Sequence, residues 1–179
     1  MEPTLVKDFY DHIVGVVTAM ARGMERTPGD YATWPEEKLR DALLVIRNRH
    51  YEGKATGETF NKSGKTDILV RVEDRNVFVG ECKLWKGPSS FAEADQDPPS
   101  ALEQLLSYST WRDAKLALIM FVGAKGIDKV ITSAREVLQS HSSFLQWAEP
   151  TDEGQLRCRV RLADDRAADL TVVFVHLPR

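Results

Sequence analysis

Apolar residues recur at helical spacing over residues 3–24, where Leu5, Phe9, Ile13, Val16, Val17 and Met20 share one broad stripe. After a loop at Pro28-Gly29-Asp30, a second helix is expected over 33–50. Thr33 stands at its N-cap, Pro35 suits its first turn, Glu36 follows the cap by three residues, and Leu39, Leu43 and Ile46 continue its apolar face. Gly53 and Gly57 then break the chain, and the period changes from helical to alternating. Glu58-Thr59-Phe60 reads as a short strand and Asn61-Lys62-Ser63-Gly64 as a turn. Residues 66–72 and 76–84 read as two strands joined by a tight turn at Glu73-Asp74-Arg75. Residues 86–100, with Pro88, Pro98 and Pro99, read as a loop. A helix over 101–111, an apolar strand over 117–122 and an amphipathic helix over 125–141 follow. A hairpin pairing 156–162 with 170–175 across Asp164-Asp165-Arg166 ends the chain. The middle of this order, helix, three strands, helix, strand, predicts an α/β sandwich around one mixed sheet.

A chain of 179 residues fits one domain with a substantial core. No apolar run has the length of a membrane span, and no signal-peptide core opens the sequence, so a cytoplasmic protein with no membrane association is expected. Both cysteines, Cys82 and Cys158, fall inside expected strands, which favours a reducing compartment over a disulfide scaffold. Net charge is −3, yet residues 38–86 hold eleven Lys and Arg against seven Asp and Glu, a local +4 against −7 for the rest. A basic face on an acidic chain is compatible with contacts to a nucleic-acid backbone, and equally with ordinary solvated surface.

Asp67, Glu81 and Lys83 carry the candidate chemistry. If the hairpin folds about Asp74, residues whose numbers sum to 148 face each other, and Asp67 lies opposite Glu81. Like charges opposite one another destabilise a sheet, and a charge in a central strand is costly unless paired or metal-bound. Glu81 and Lys83 continue the parity of Val77 and Val79 on one face. A divalent cation held by Asp67 and Glu81, with the Lys83 ammonium beside it, resolves the conflict and suits phosphodiester cleavage. A buried salt bridge between Lys83 and the two acids is the structural alternative.

The order of elements, with Asp67 early in the second strand and Glu81-Cys82-Lys83 ending the third, resembles the PD-(D/E)xK nuclease superfamily. The segments 57–60 and 63–69 and the motif Gln104-Leu105-Leu106-Ser107-Tyr108, similar to the Gln-x-x-x-Tyr signature of the exonuclease-type branch, extend the likeness. Thr66 stands where the family's name has proline, at a variable position. The resemblance implies a restriction-endonuclease-like α-β-β-β-α-β core over about 33–123 within a single nuclease-like domain spanning 1–179. An N-terminal helix precedes this core, and a C-terminal extension over about 124–179, a helix plus β-hairpin, follows it. It implies a Mg2+-dependent nuclease acting on DNA, with Mn2+ able to substitute, in restriction or antiphage defence. A homodimer or a recognition or motor partner is compatible with that role. Asp67 and Glu81 would hold the ion with the Cys82 carbonyl as a further ligand, Lys83 would orient or deprotonate water, and Gln104 and Tyr108 would contact the substrate backbone or steady Lys83. A non-catalytic nuclease-like module that binds nucleic acid or a partner protein is the alternative reading.

Two acids compete as an additional ligand. Glu58 faces Asp67 if the turn at 61–64 closes symmetrically, and is otherwise an exposed strand charge. Glu36 either joins the site from the helix or closes a capping box with Thr33. Lys62, Lys65 and Lys86 flank the site as candidate phosphate contacts. Arg157, Arg159 and Arg161 alternate with apolar residues as the wet face of an edge hairpin. The four histidines and two cysteines show no zinc spacing, Gly64-Lys65-Thr66 lacks a phosphate-loop context, and Ser and His are too dispersed for a triad.

Overall fold

A computed structural model of the chain describes residues 3–51, 67–72, 75–110 and 112–179. Helices α1 (Pro3–Glu25), α2 (Pro28–Tyr31) and α3 (Glu36–Tyr51) lead into the hairpin of β1 (Ile68–Val72) and β2 (Arg75–Leu84). Then come α4 (Pro88–Phe91), α5 (Ala101–Tyr108), β3 (Lys115–Val122), α6 (Ile127–Ser140), β4 (Phe144–Ala148), β5 (Gln155–Arg161) and β6 (Ala167–His176). The strands form one mixed sheet of six in the order β1-β2-β3-β6-β5-β4. β2, β3 and β6 run parallel, and the pairs β1/β2, β5/β6 and β4/β5 are antiparallel. This is the expected α/β class with a mixed sheet. The first of the three expected core strands, Glu58-Thr59-Phe60, and the turn after it lie outside the described residues.

Helices cover both faces. On one, Leu102, Leu105, Val130, Ala134 and Leu138 of α5 and α6 pack with Phe91 on Val79, Leu118, Met120, Val172 and Phe174. On the other, Tyr10, Ile13, Val14 and Val17 of α1 and Leu39 and Leu43 of α3 pack on Ile68, Phe78, Cys82, Ile119 and Val175. β3 is flanked by parallel strands and covered on both faces, which explains why its sequence is a continuous apolar run. Among the described residues no helix is long and apolar enough to cross a membrane.

The structure departs from the sequence expectation in several places, among them the start of α3, which begins at Glu36 and not after a Thr33 cap. Pro28-Gly29-Asp30 is the short helix α2, closed by the Ala32 N–H on the Pro28 carbonyl at 2.8 Å. The expected loop over 86–100 contains the single turn α4, whose first helical position is a proline that donates no bond there anyway. α5 stops at Tyr108, three residues early, where Ser109 turns extended (ψ 133°) and Thr110 bonds Asp113. β4 was not expected: Phe144 and Trp147 are half-buried and its other three residues exposed, so no clean alternation marks them.

The C-terminal hairpin is no edge device. β6 lies beside β3 along its whole length, from Lys115↔Asp169 to Val122↔His176, and β5 is covered in turn by β4. The wet-face reading therefore fails for Arg157, whose side chain is only 13% exposed and bonds Asp11 of α1 at 3.0 Å. Arg159 and Arg161 do face solvent.

Candidate active site

β1 and β2 pair in the expected register over Ile68↔Gly80, Leu69↔Val79 and Val70↔Phe78, which brings Asp67 beside Glu81. Beyond Val70 the register slips by one residue to Arg71↔Asn76, a bulge at Val77. The slip corrects one expectation: Val77 packs with Phe78 on the α1 side, while Val79 faces α5. The shared parity holds for Val79, Glu81 and Lys83, downstream of the bulge. Gly80 sits in the paired segment because a Cβ there would stand 2.9 Å from the Phe78 ring and 3.4 Å from the Ile68 Cβ.

Past Ile68↔Gly80 the outward amides of β2 are taken up by carboxylates. The Cys82 N–H donates to Asp67 Oδ2 at 2.9 Å, and the Leu84 N–H donates to Glu36 Oε2 at 2.8 Å. Glu36 thus reaches the site from α3, with one oxygen committed to β2 and not to its own helix end. Arg40, one turn further along α3, donates from Nη1 to Asp67 Oδ1 at 3.2 Å and also pairs with Asp41. Sequence reasoning passed over Arg40. The available signal was its i, i+4 spacing from Glu36 on one helix face.

Glu81 is 3% exposed, and its Oε2 has no hydrogen-bond partner. Burial pushes its pKa up to about 8, the Asp67 charge and, more weakly, Glu36 add to the rise, and Lys83 opposes it. The Lys83 Nζ donates to Gln104 Oε1 of α5 at 3.1 Å. Among the described residues Lys83 forms no direct ion pair with Asp67 or Glu81, so the salt-bridge alternative lacks its central contact. The Cys82 thiol is fully buried and held well above its usual pKa by desolvation, so its backbone and not its sulfur serves the site. Tyr108 is half-buried one turn after Gln104, and Lys86 is exposed with its N–H bonded to Ser90 Oγ at 2.9 Å. Glu58, Lys62 and Lys65 lie outside the described residues.

Asp67, Glu81, Lys83, Glu36 and Gln104 therefore come together at one end of β2, from four separate stretches of chain. Among the described residues no group of three or more His, Cys, Asp or Glu side chains is placed to hold a metal ion. The donor set nonetheless fits a hard cation. It offers carboxylate oxygens, one of them buried and unpartnered, and Mg2+ needs only one or two carboxylates because it keeps much of its water.

One other polar cluster is structural. His141 accepts the Ser143 N–H at Nδ1 (3.1 Å) beside Ser143 Oγ (2.7 Å), which leaves Nε2 to donate to Glu103 at 2.6 Å. His141 and Ser143 are buried just after α6, and the bond to the partly exposed Glu103 ties this end of α6 to α5. Compared with family models, curated proteins and solved structures, the chain matches none.

Proposed function

We propose that the chain is a divalent-cation-dependent nuclease of the PD-(D/E)xK type, hydrolysing phosphodiester bonds of DNA. The observation that supports this best is Glu81: a carboxylate 3% exposed in a central strand, one oxygen unpartnered, with Asp67 alongside. Such a group is expensive as structure alone and is well suited to hold a cation. Asp67 and Glu81 would hold Mg2+ with the Cys82 carbonyl, and Glu36 is close enough to shape the field around them. Bound there, the ion would supply electrophilic charge at a phosphodiester oxygen.

Hydrolysis adds a water oxygen to phosphorus, breaks one P–O ester bond and moves one proton from the water to the leaving oxygen. Lys83, aimed by Gln104, would orient the water and offset negative charge gathering on the phosphoryl oxygens. Tyr108 and Lys86 extend that face toward the substrate backbone. A role in restriction or antiphage defence accompanies the family reading.

The test is incubation of the whole chain with plasmid, linear and single-stranded DNA and with RNA, with and without Mg2+. Cleavage is expected to require the cation and to be lost in Asp67→Asn and Glu81→Gln, and Lys83→Ala should lose on the order of 10²-fold or more. Wild-type rates in either carboxylate variant would end the assignment. Tight nucleic-acid or protein binding with no cleavage under any cation would favour the non-catalytic module.

A further inference from the structure

Among the described residues Arg40 is the basic side chain that pairs directly with Asp67. It leaves α3 on the same face as Glu36 and bonds Asp67 Oδ1 while the Cys82 N–H holds Oδ2, so both oxygens of Asp67 are fixed before any cation arrives. The pair lies at the rim of the site, with Arg40 30% and Asp67 17% exposed at the side chain. A guanidinium and a divalent cation are alternative counter-charges for one carboxylate, and at contact distances they repel each other.

We propose that Arg40 is a positioning residue that holds Asp67 while the carboxylates carry no cation and competes with a divalent cation for Asp67 Oδ1. On release, its guanidinium faces a phosphodiester oxygen of the substrate. This role presupposes the cation-dependent reading given above. Arg40 suits it because a single Nη1 bond holds Asp67 while Nε and Nη2 lie on Asp41 at 3.4 Å, and a guanidinium pairs with a phosphate as readily as with a carboxylate.

Calorimetric titration of the whole chain with Mn2+, without substrate, separates the possibilities. Arg40→Gln removes the competing charge and should bind Mn2+ about five- to tenfold tighter. Arg40→Lys keeps a charge but loses the fork and should bind about two- to threefold tighter. On an Asp67→Asn background the Arg40→Gln change should have no effect on Mn2+ affinity, since the two act through one contact. Thermal melts in chelator should show Arg40→Gln below the native chain, with a larger rise on adding Mn2+. In DNA cleavage, Arg40→Gln should raise KM more than it lowers kcat, with Arg40→Lys partly restoring KM. Unchanged or weaker Mn2+ binding in Arg40→Gln would reduce Arg40 to a structural ion pair while leaving the nuclease reading intact. Should Arg40→Gln not fold, the same outcome in Arg40→Lys decides. A native chain that binds no Mn2+ would overturn both readings together.

Discussion

Glu81 keeps its proton in the folded chain up to about pH 8, whereas an unfolded glutamate releases it near its ordinary value of 4.5. Between those values the native state binds a proton that the unfolded state has lost, so stability falls as pH rises through this window and levels off above it. At about 1.36 kcal/mol per unit the loss is up to about 5 kcal/mol. Urea midpoints measured in chelator from pH 5 to 9 should show this decline in the native chain and a much flatter profile in Glu81→Gln. Parallel profiles would mean that Glu81 is not the buried acid described. The thiols make a second test at this scale. Cys82 is held well above its usual pKa and Cys158 is pushed up to about 12, both mainly by desolvation. A thiol-modifying reagent should therefore react with neither until the chain unfolds; stoichiometric labelling of native protein would contradict the packing around β2 and β5.

α3 matters to the site because it sends two side chains, Glu36 and Arg40, onto the β1/β2 hairpin. Removing Glu36 strips the Leu84 N–H of its acceptor, and a hydrogen bond to a charged group contributes about 1.5–3 kcal/mol. Glu36→Ala should lose about that much by denaturant unfolding, and Glu36→Gln, which keeps an oxygen acceptor, clearly less. Native stability in Glu36→Ala would mean that the bond to the Leu84 N–H contributes nothing. The same hairpin explains the bulge. It lets Val77 and Phe78 both turn toward α1 and restores the alternation at Val79, so that Glu81 and Lys83 face α5 and Gln104.

At the scale of the whole molecule, β6 is the element that closes the sheet. It pairs with β3 along eight positions and buries Val172, Val173, Phe174 and Val175 between the two helical layers. A chain ended after Gly123 would leave β3 as an open apolar edge, and it should fail to fold cooperatively by circular dichroism and urea titration; an independently folded 1–123 fragment would show that the C-terminal part is a dispensable extension. Charge distribution acts at this scale too. With −3 overall and +4 over residues 38–86, DNA affinity should be modest and should fall steeply with salt. The affinity of Lys83→Ala protein across a salt series measures this, and a salt-independent affinity would move the reading toward a protein-binding module.

The sequence by itself determined the elements whose signal is local. The stripe of α1, the apolar runs of β3 and β6 and the alternation of β5 each reflect a pattern held within a short stretch, whereas the Thr33 cap expected for α3 is not realised, since that helix begins at Glu36. The same alternation, folded about Asp74, placed Asp67 beside Glu81, but the pairs next to the turn are one residue out of that register, and it is the bulge at Val77 that restores it. Only the tertiary structure decided what depends on contacts between distant stretches. That β6 enters the sheet centre next to β3 follows from the burial of both faces by α1 and α6, which no local pattern encodes. That Glu36 serves β2, that Arg40 holds Asp67 and that Gln104 receives Lys83 are choices among polar partners. Hydrophobic periodicity is silent about such choices, since a charged side chain on a helix surface reads the same whether it meets water or another charge. β4 escaped for the converse reason: a strand half-exposed at an edge needs few apolar residues, and so leaves little mark on the chain.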